Sequence, residues 1–138
     1  MKFIVFVKAD RDTEAGVMPT EAELTAMTRF NEELVAKGAM LGGEGLHPTS
    51  RGAKILFSGE EKRVERGPFQ SPDIVAGFWL LQADSLEHLL ELMKTCPNPT
   101  HERGEIEIRQ LFDAADFGEA FTPELQDAEA RMREQLGT

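Results

Sequence analysis

Several kinds of residue are scarce in this 138-residue chain. Cys96 is the only cysteine, so no internal disulfide can form and nothing calls for an oxidising compartment. No apolar run approaches the ~18 residues of a membrane span. The apolar run among Lys2, Asp10 and Arg11 is too short for a signal peptide and lacks a small-residue cleavage site. These absences predict a cytoplasmic protein with no membrane partner. Basic residues are outnumbered, 15 against 25 acidic ones, and the formal net charge is −10 with no Lys/Arg run. That balance predicts no nucleic-acid partner, because phosphate backbones are gripped by basic patches.

Metal and cofactor signals are missing too. His47, His88 and His101 lack ligand spacing, and no Cys or Asp cluster joins them, so no metal is predicted. Gly42-Gly43-Glu44-Gly45 lacks the Lys-Ser/Thr and helix start of a phosphate loop. Asp116-Phe117-Gly118 matches a kinase tripeptide without the rest of that signature. No cofactor is expected. His101 is close to Cys96 in sequence, but that alone does not make a nucleophile, and Cys96 reads as a small, partly buried side chain before Pro97.

What is present suits one soluble domain, since 41% hydrophobic residues are enough for a core. Residues 2–8 read as a strand with Phe3, Val5 and Val7 on one face and Ile4 and Phe6 on the other. A loop is expected over 9–19. Thr20 and Glu23 have capping-box spacing for a helix over 20–37, with a stripe of Leu24, Met27, Asn31, Leu34 and Val35 beside Phe30, and Gly38 as its stop. A second strand starts at Ala39 and breaks at the glycines after Leu41. Residues 54–57 and 62–66 form a hairpin across Ser58-Gly59-Glu60-Glu61, ended by Gly67-Pro68-Phe69. Residues 74–81 make a strand apolar on both faces, with Gly77 marking a bulge or close contact. A helix over 84–94, capped by Asp84, buries Leu86, Leu89, Leu90 and Met93. A strand over 105–111 alternates Ile106 and Ile108 with Glu105, Glu107 and Arg109. Thr122 caps a last helix over 122–135, with Pro123 in its first turn and a thin stripe of Leu125, Met132 and Leu136 that packs on the body or on a neighbouring subunit.

The order β-α-β, hairpin, β-α-β is a split βαβ, ferredoxin-like α+β plan: an antiparallel sheet, both helices on one face, an inserted hairpin and an extra C-terminal helix. The first and fifth strands are apolar on both sides, yet the helices cover one face. Two subunits pressing their open faces together would bury the other, which predicts a homodimer.

The residues Gly43-Glu44-Gly45-Leu46-His47-Pro48, Gly67-Pro68-Phe69, Gly77-Phe78 with Asp84-Ser85, Cys96-Pro97 and Gly104-Glu105-Ile106-Glu107-Ile108-Arg109 together resemble the YCII-related superfamily, specifically its DGPF branch. The resemblance covers residues 1 to about 111 in order of elements, and the tail resembles an extension found in part of that branch. It implies a dimeric α+β barrel over 1–112 followed by a helical extension over 113–138, a cleft between sheet and hairpin, and no assigned activity. Two residues depart from the pattern. Arg66 stands where the branch's naming motif has aspartate. The helix over 20–37 holds neither histidine nor aspartate, so the histidine–aspartate pair proposed for YCII relatives does not carry over.

The candidate ligand-binding residues are Glu44, His47, Arg66, Glu107 and Arg109 against Phe69 and Trp79. Glu107 and Arg109 share one strand face and either grip a ligand or pair with each other at the dimer seam. Glu44 and His47 either do acid–base work or stabilise the glycine turn and the loop after it. Arg66 either binds an anion or pairs with Glu44 or Glu65. The first expectation is a homodimer binding a small molecule in a cleft. A general acid–base enzyme in that cleft and an accessory interaction protein in transcription control stand as alternatives.

Overall fold

A run of residues apolar on both faces makes the first strand, which pairs with the fifth and sixth strands at the centre of the main sheet. In the computed structural model, which describes residues 1–101 and 103–138, the chain runs β1 (Lys2–Lys8), α1 (Arg11–Glu14), α2 (Glu21–Ala36), β2 (Met40–Gly45), β3 (Ala53–Ser58), β4 (Glu61–Arg66), β5 (Val75–Gln82), α3 (Leu86–Met93), β6 (Ile106–Gln110) and α4 (Pro123–Leu136). Strands β2, β5, β1 and β6 form one antiparallel sheet in that order, and β3 and β4 form a separate hairpin. This is the ferredoxin-like α+β plan with an inserted hairpin.

Side chains alternate across the sheet. Phe3, Val5, Trp79 and Leu81 point under the helices and are buried with Phe30 and Leu34 of α2 and Leu89 and Met93 of α3. The Trp79 ring meets Phe30 edge-on at 6.1 Å, and its Nε1–H donates to Asn31 Oδ1 at 2.9 Å. The indole therefore buries its ring without orphaning its one donor. The helix stripes are narrower than expected. Leu24, Val35, Leu86 and Leu90 are exposed, because each helix rests on the sheet along one line and has no second layer above it.

Local chemistry sets several boundaries. Thr20 accepts from the Glu23 N–H at 3.2 Å, and Gly38 ends α2 at φ 68°. Ser85, rather than Asp84, caps α3, accepting from the His88 N–H at 3.0 Å. Segment 9–19 is not all loop: Asp10 and Thr13 cap each other reciprocally at 2.8 Å and fold one turn, α1. Strand β2 does not break at its glycines but continues through Gly42, Gly43 and Gly45, pairing with β5 after a bulge next to Met40. The hairpin turn is shorter than expected. Ser58 pairs with Glu61, and Gly59 at φ 62° occupies the position a type II′ turn gives to glycine. The pairing of β1 with β5 shifts register beside Gly77.

Beyond β6, residues Ala114–Ala120 form a 3₁₀ segment whose Phe117 stacks between Phe112 and Phe121. Helix α4 buries none of its residues; Leu125, Met132 and Leu136 stay exposed, so the expected packing on the body is not seen. No helix among the described residues is long and apolar enough to cross a membrane.

The glycines of β2 differ in what surrounds them. A Cβ on Gly43 would lie 2.9 Å from the Phe78 carbonyl oxygen and 3.2 Å from the Trp79 ring, whereas one on Gly45 would meet nothing within 4 Å. Gly43→Ala is expected to lower stability by about 1–3 kcal/mol through overpacking. Gly45→Ala should stay within about 0.5 kcal/mol of the parent. Urea unfolding of the two variants checks the contrast.

Candidate functional site

The same glycines make a hollow. On the helix side of the sheet, Gly43, Gly45 and Gly77 leave bare peptide where side chains would stand, and a cleft of about 590 Å³ opens above them. That volume lies within the range of small-molecule sites. Val17, Met18 and Met27 supply apolar lining, and Leu46, His47 and Pro48 lie along the β2 side.

One carboxylate fastens the cover. Glu14, at the end of α1, accepts from the Thr49 backbone N–H at 2.8 Å and from the Thr49 hydroxyl at 2.6 Å. Thr49 Oγ1 in turn accepts from the Phe69 N–H at 2.9 Å, and the Gly67 N–H donates to the Gly52 carbonyl at 2.9 Å. A side chain on Gly67 would collide with the Thr49 carbonyl, so glycine is required before Pro68 for a packing reason. Segment 9–19, the loop after β2 and the foot of the hairpin are thus joined through Thr49. Sequence reading missed Glu14 and Thr49, because residues 35 positions apart carry no local signal of their pairing.

A second tie holds the same cover. The His101 ring lies 3.1 Å from Glu23 through Nε2 and 3.6 Å from Asp12 through Nδ1, and its backbone N–H donates to Asp10 at 3.2 Å. The Thr13 backbone N–H, assisted by that of His101, holds the Asp10 carboxyl below the usual carboxylate range.

The predicted site residues do not converge. Trp79 borders the cleft but is buried in the core beneath α2. His47 lies at the rim, where Arg51 donates to its Nε2 at 3.1 Å, and it makes no bond to Glu44. Glu44 borders the cleft as a residue, yet its register opposite Phe78 puts its side chain on the other sheet face. There it shares a cross-strand row with Phe78, Phe6 and Glu107, three strand spacings or roughly 14 Å from Glu107. No acid–base pair of Glu44 with His47 is formed.

Glu107 and Arg109 do pair, at 3.5 Å. Glu107 also meets Lys8 at 3.4 Å, and Asp73 lies 3.6 Å from the same ammonium. Burial works to lower the pKa of Lys8, but the hydrogen bonds and charges of Glu107 and Asp73 outweigh it, and the net shift is upward. This arrangement fits the ion-pair reading better than a ligand grip, because the Glu107 carboxylate already has two cationic partners. Arg66 and Phe69 stand away from the cleft. Arg66 makes no ion pair among the described residues, and Lys54 lies 4.2 Å over the Phe69 ring. No group of three His, Cys, Asp or Glu able to hold a metal occurs among the described residues.

The fold and cleft define an α+β protein of the ferredoxin-like class, with its hollow between the sheet, α2 and the segment after β1. A family model described as YCII-related domain matches residues 1–115, and the chain belongs to that family. Comparison with curated proteins yields no match.

Cys96 takes no part in the cleft. Its Sγ–H points at the Pro97 carbonyl 3.3 Å away, and burial pushes the thiol up to about 11. Since the thiolate is the nucleophile, iodoacetamide is expected to alkylate the native protein at pH 8 at least about tenfold more slowly than a free cysteine of ordinary pKa. Unfolding in urea should restore the ordinary rate, as followed by mass spectrometry.

Proposed function

We propose that this YCII-family protein, placed in the DGPF-like branch on its Gly67-Pro68-Phe69 element, binds a small, flat, largely apolar molecule in the cleft and works as a homodimer. The observation that carries the ligand reading is the hollow itself: a glycine floor under apolar walls, with few free polar groups. The Glu14 oxygens are taken by Thr49, the Thr13 hydroxyl by Asp10, and Asn31 Oδ1 by Trp79. The Asn31 amide nitrogen has no partner in the bonds formed among the described residues, and it offers a donor to a ligand carbonyl. Such a site selects by shape and one hydrogen bond.

The homodimer reading is supported by the other sheet face. Ile4, Phe6, Phe78 and Leu80 lie together on the face turned away from the α2–α3 core, and each is half-buried. Each square ångström of their remaining apolar surface that a partner sheet covers is worth about 25 cal/mol.

The ligand reading is tested by NMR titration with acetophenone, a flat apolar ketone. The amide signals of Gly43 and Gly45 and the side-chain amide of Asn31 should shift. Gly45→Leu places a side chain where a Cβ meets nothing within 4 Å, and should fill the hollow and weaken binding at least about tenfold, with circular dichroism as the check on an unchanged fold. Binding that ignores Gly45→Leu would sink the reading. The dimer is tested by sedimentation equilibrium at micromolar concentration, where Phe6→Lys is expected to give monomers from a dimeric parent.

A further inference from the structure

Two elements stand apart from the core, and each carries an apolar stripe with nothing on it. In the hairpin, register puts Ala53, Ile55 and Phe57 of β3 on one face with Arg66, Val64 and Lys62 of β4 opposite them. Ile55, Phe57 and Val64 are exposed, Phe57 at 73%. A two-stranded ribbon alone is marginal in water and needs a layer on its apolar face. In α4, Leu125, Met132 and Leu136 share one side of the helix and are exposed, and the helix buries none of its residues. A lone helix of this length is marginal too.

The two stripes fit each other. From Ala53 to Phe57 the hairpin face runs roughly 14 Å, and from Leu125 to Leu136 the helix stripe runs roughly 16 Å. Their charges are opposite. Lys62 and Arg66 are the charged residues of the hairpin face, and neither is in an ion pair among the described residues. On α4, Glu124, Asp127, Glu129 and Glu134 outnumber Arg131 and Arg133, and Glu124 and Glu129 flank the stripe. Within one chain, however, the two elements leave the sheet from diagonal corners. The register Gly45–Gly77–Val7–Ile106 puts the end of β2, which leads to the hairpin, level with the start of β6. The way to α4 leaves from the other end of β6, at Gln110, on the opposite edge of the sheet. The segment between is folded locally, by Phe117 stacked between Phe112 and Phe121 and by the reciprocal caps of Asp113 and Asp116. A segment folded in this way is not stretched back toward its own hairpin, which leaves α4 free for another copy.

We propose that α4 of a second copy lies along the Ile55, Phe57 and Val64 face of the hairpin, and that the two copies exchange this contact in both directions. The inference rests on the homodimer reading and adds to it a contact distinct from the open sheet face. The apolar stripes meet, and Lys62 and Arg66 come beside the acids that flank the helix stripe. Each marginal element gains the layer it lacks. Opposite charge guides the approach, and the apolar residues supply the attraction.

Isotope-filtered NMR on a dimer mixed from labelled and unlabelled chains reads the contact directly. Methyl contacts between Ile55 or Val64 of one chain and Met132 or Leu136 of the other are expected. Phe57→Lys and Met132→Lys, both at exposed positions, should each leave circular dichroism unchanged. Each should weaken the dimer at least about tenfold in sedimentation equilibrium and speed amide hydrogen exchange in β3 and β4 at least about tenfold. Together they should weaken the dimer no more than about threefold beyond either alone, because both remove the same contact. The filtered spectrum needs no variant, so it decides the matter should a lysine disturb the fold. The same methyl contacts found only within one chain overturn the second copy as the occupant. Their absence, or a dimer that ignores both changes, overturns the contact and leaves the homodimer standing. A monomeric parent overturns both.

Discussion

A sheet has two faces, and this chain supplies helices for one. Helices α2 and α3 close over Phe3, Val5, Trp79 and Leu81, and that burial holds the domain together. The other face keeps Ile4, Phe6, Phe78 and Leu80 only half-buried. Because β1 and β5 sit in the middle of the sheet, their outward residues form a continuous patch. Helix α4, the one long element to spare, buries no residue of its own. An apolar patch of this kind is characteristic of an association surface. The proposed homodimer follows from this imbalance between faces.

The cleft has a different origin. With glycines at 43 and 45 on its helix side, β2 has little side-chain volume there, so the wall that α2 would otherwise meet is missing. The hollow stays open because its cover is fastened at the edges. Glu14 grips Thr49 on one side, and His101 lies among Asp10, Asp12 and Glu23 on the other. Both ties use charge-assisted contacts between segments far apart in sequence, and such contacts set the position of a loop more than they add stability. Gly43 and Gly45 divide the roles: the first lets two strands and an indole pack, and the second keeps space free.

The polar residues on the open face do different work from those near the cleft. Lys8, Glu107, Asp73 and Arg109 form a linked set of charges along the β6 edge, next to the apolar patch. Their mutual satisfaction explains how a lysine that is 9% exposed keeps its charge. Glu44 stands at the opposite edge without such company.

Much of this was legible along the chain. Short runs apolar on both faces marked β1 and β5, alternation marked β6, Thr20 and Gly38 bounded α2, Thr122 bounded α4, and the order of elements gave the ferredoxin-like plan that the structure shows. Caps, alternation and turns are local, so a sequence carries them directly. The glycine segment was legible as a place where a cleft would form, since missing side chains are visible in a sequence. What the sequence could not decide was which residues meet. It grouped Trp79 with Glu107 and Arg109, but adjacent strand register puts them on opposite faces. It joined Glu44 to His47, whose ring instead takes a bond from Arg51. It gave no sign of Glu14 with Thr49, nor of His101 with Glu23. Those pairings depend on strand order and on how a loop folds back, and such long-range geometry exists only once the chain has packed.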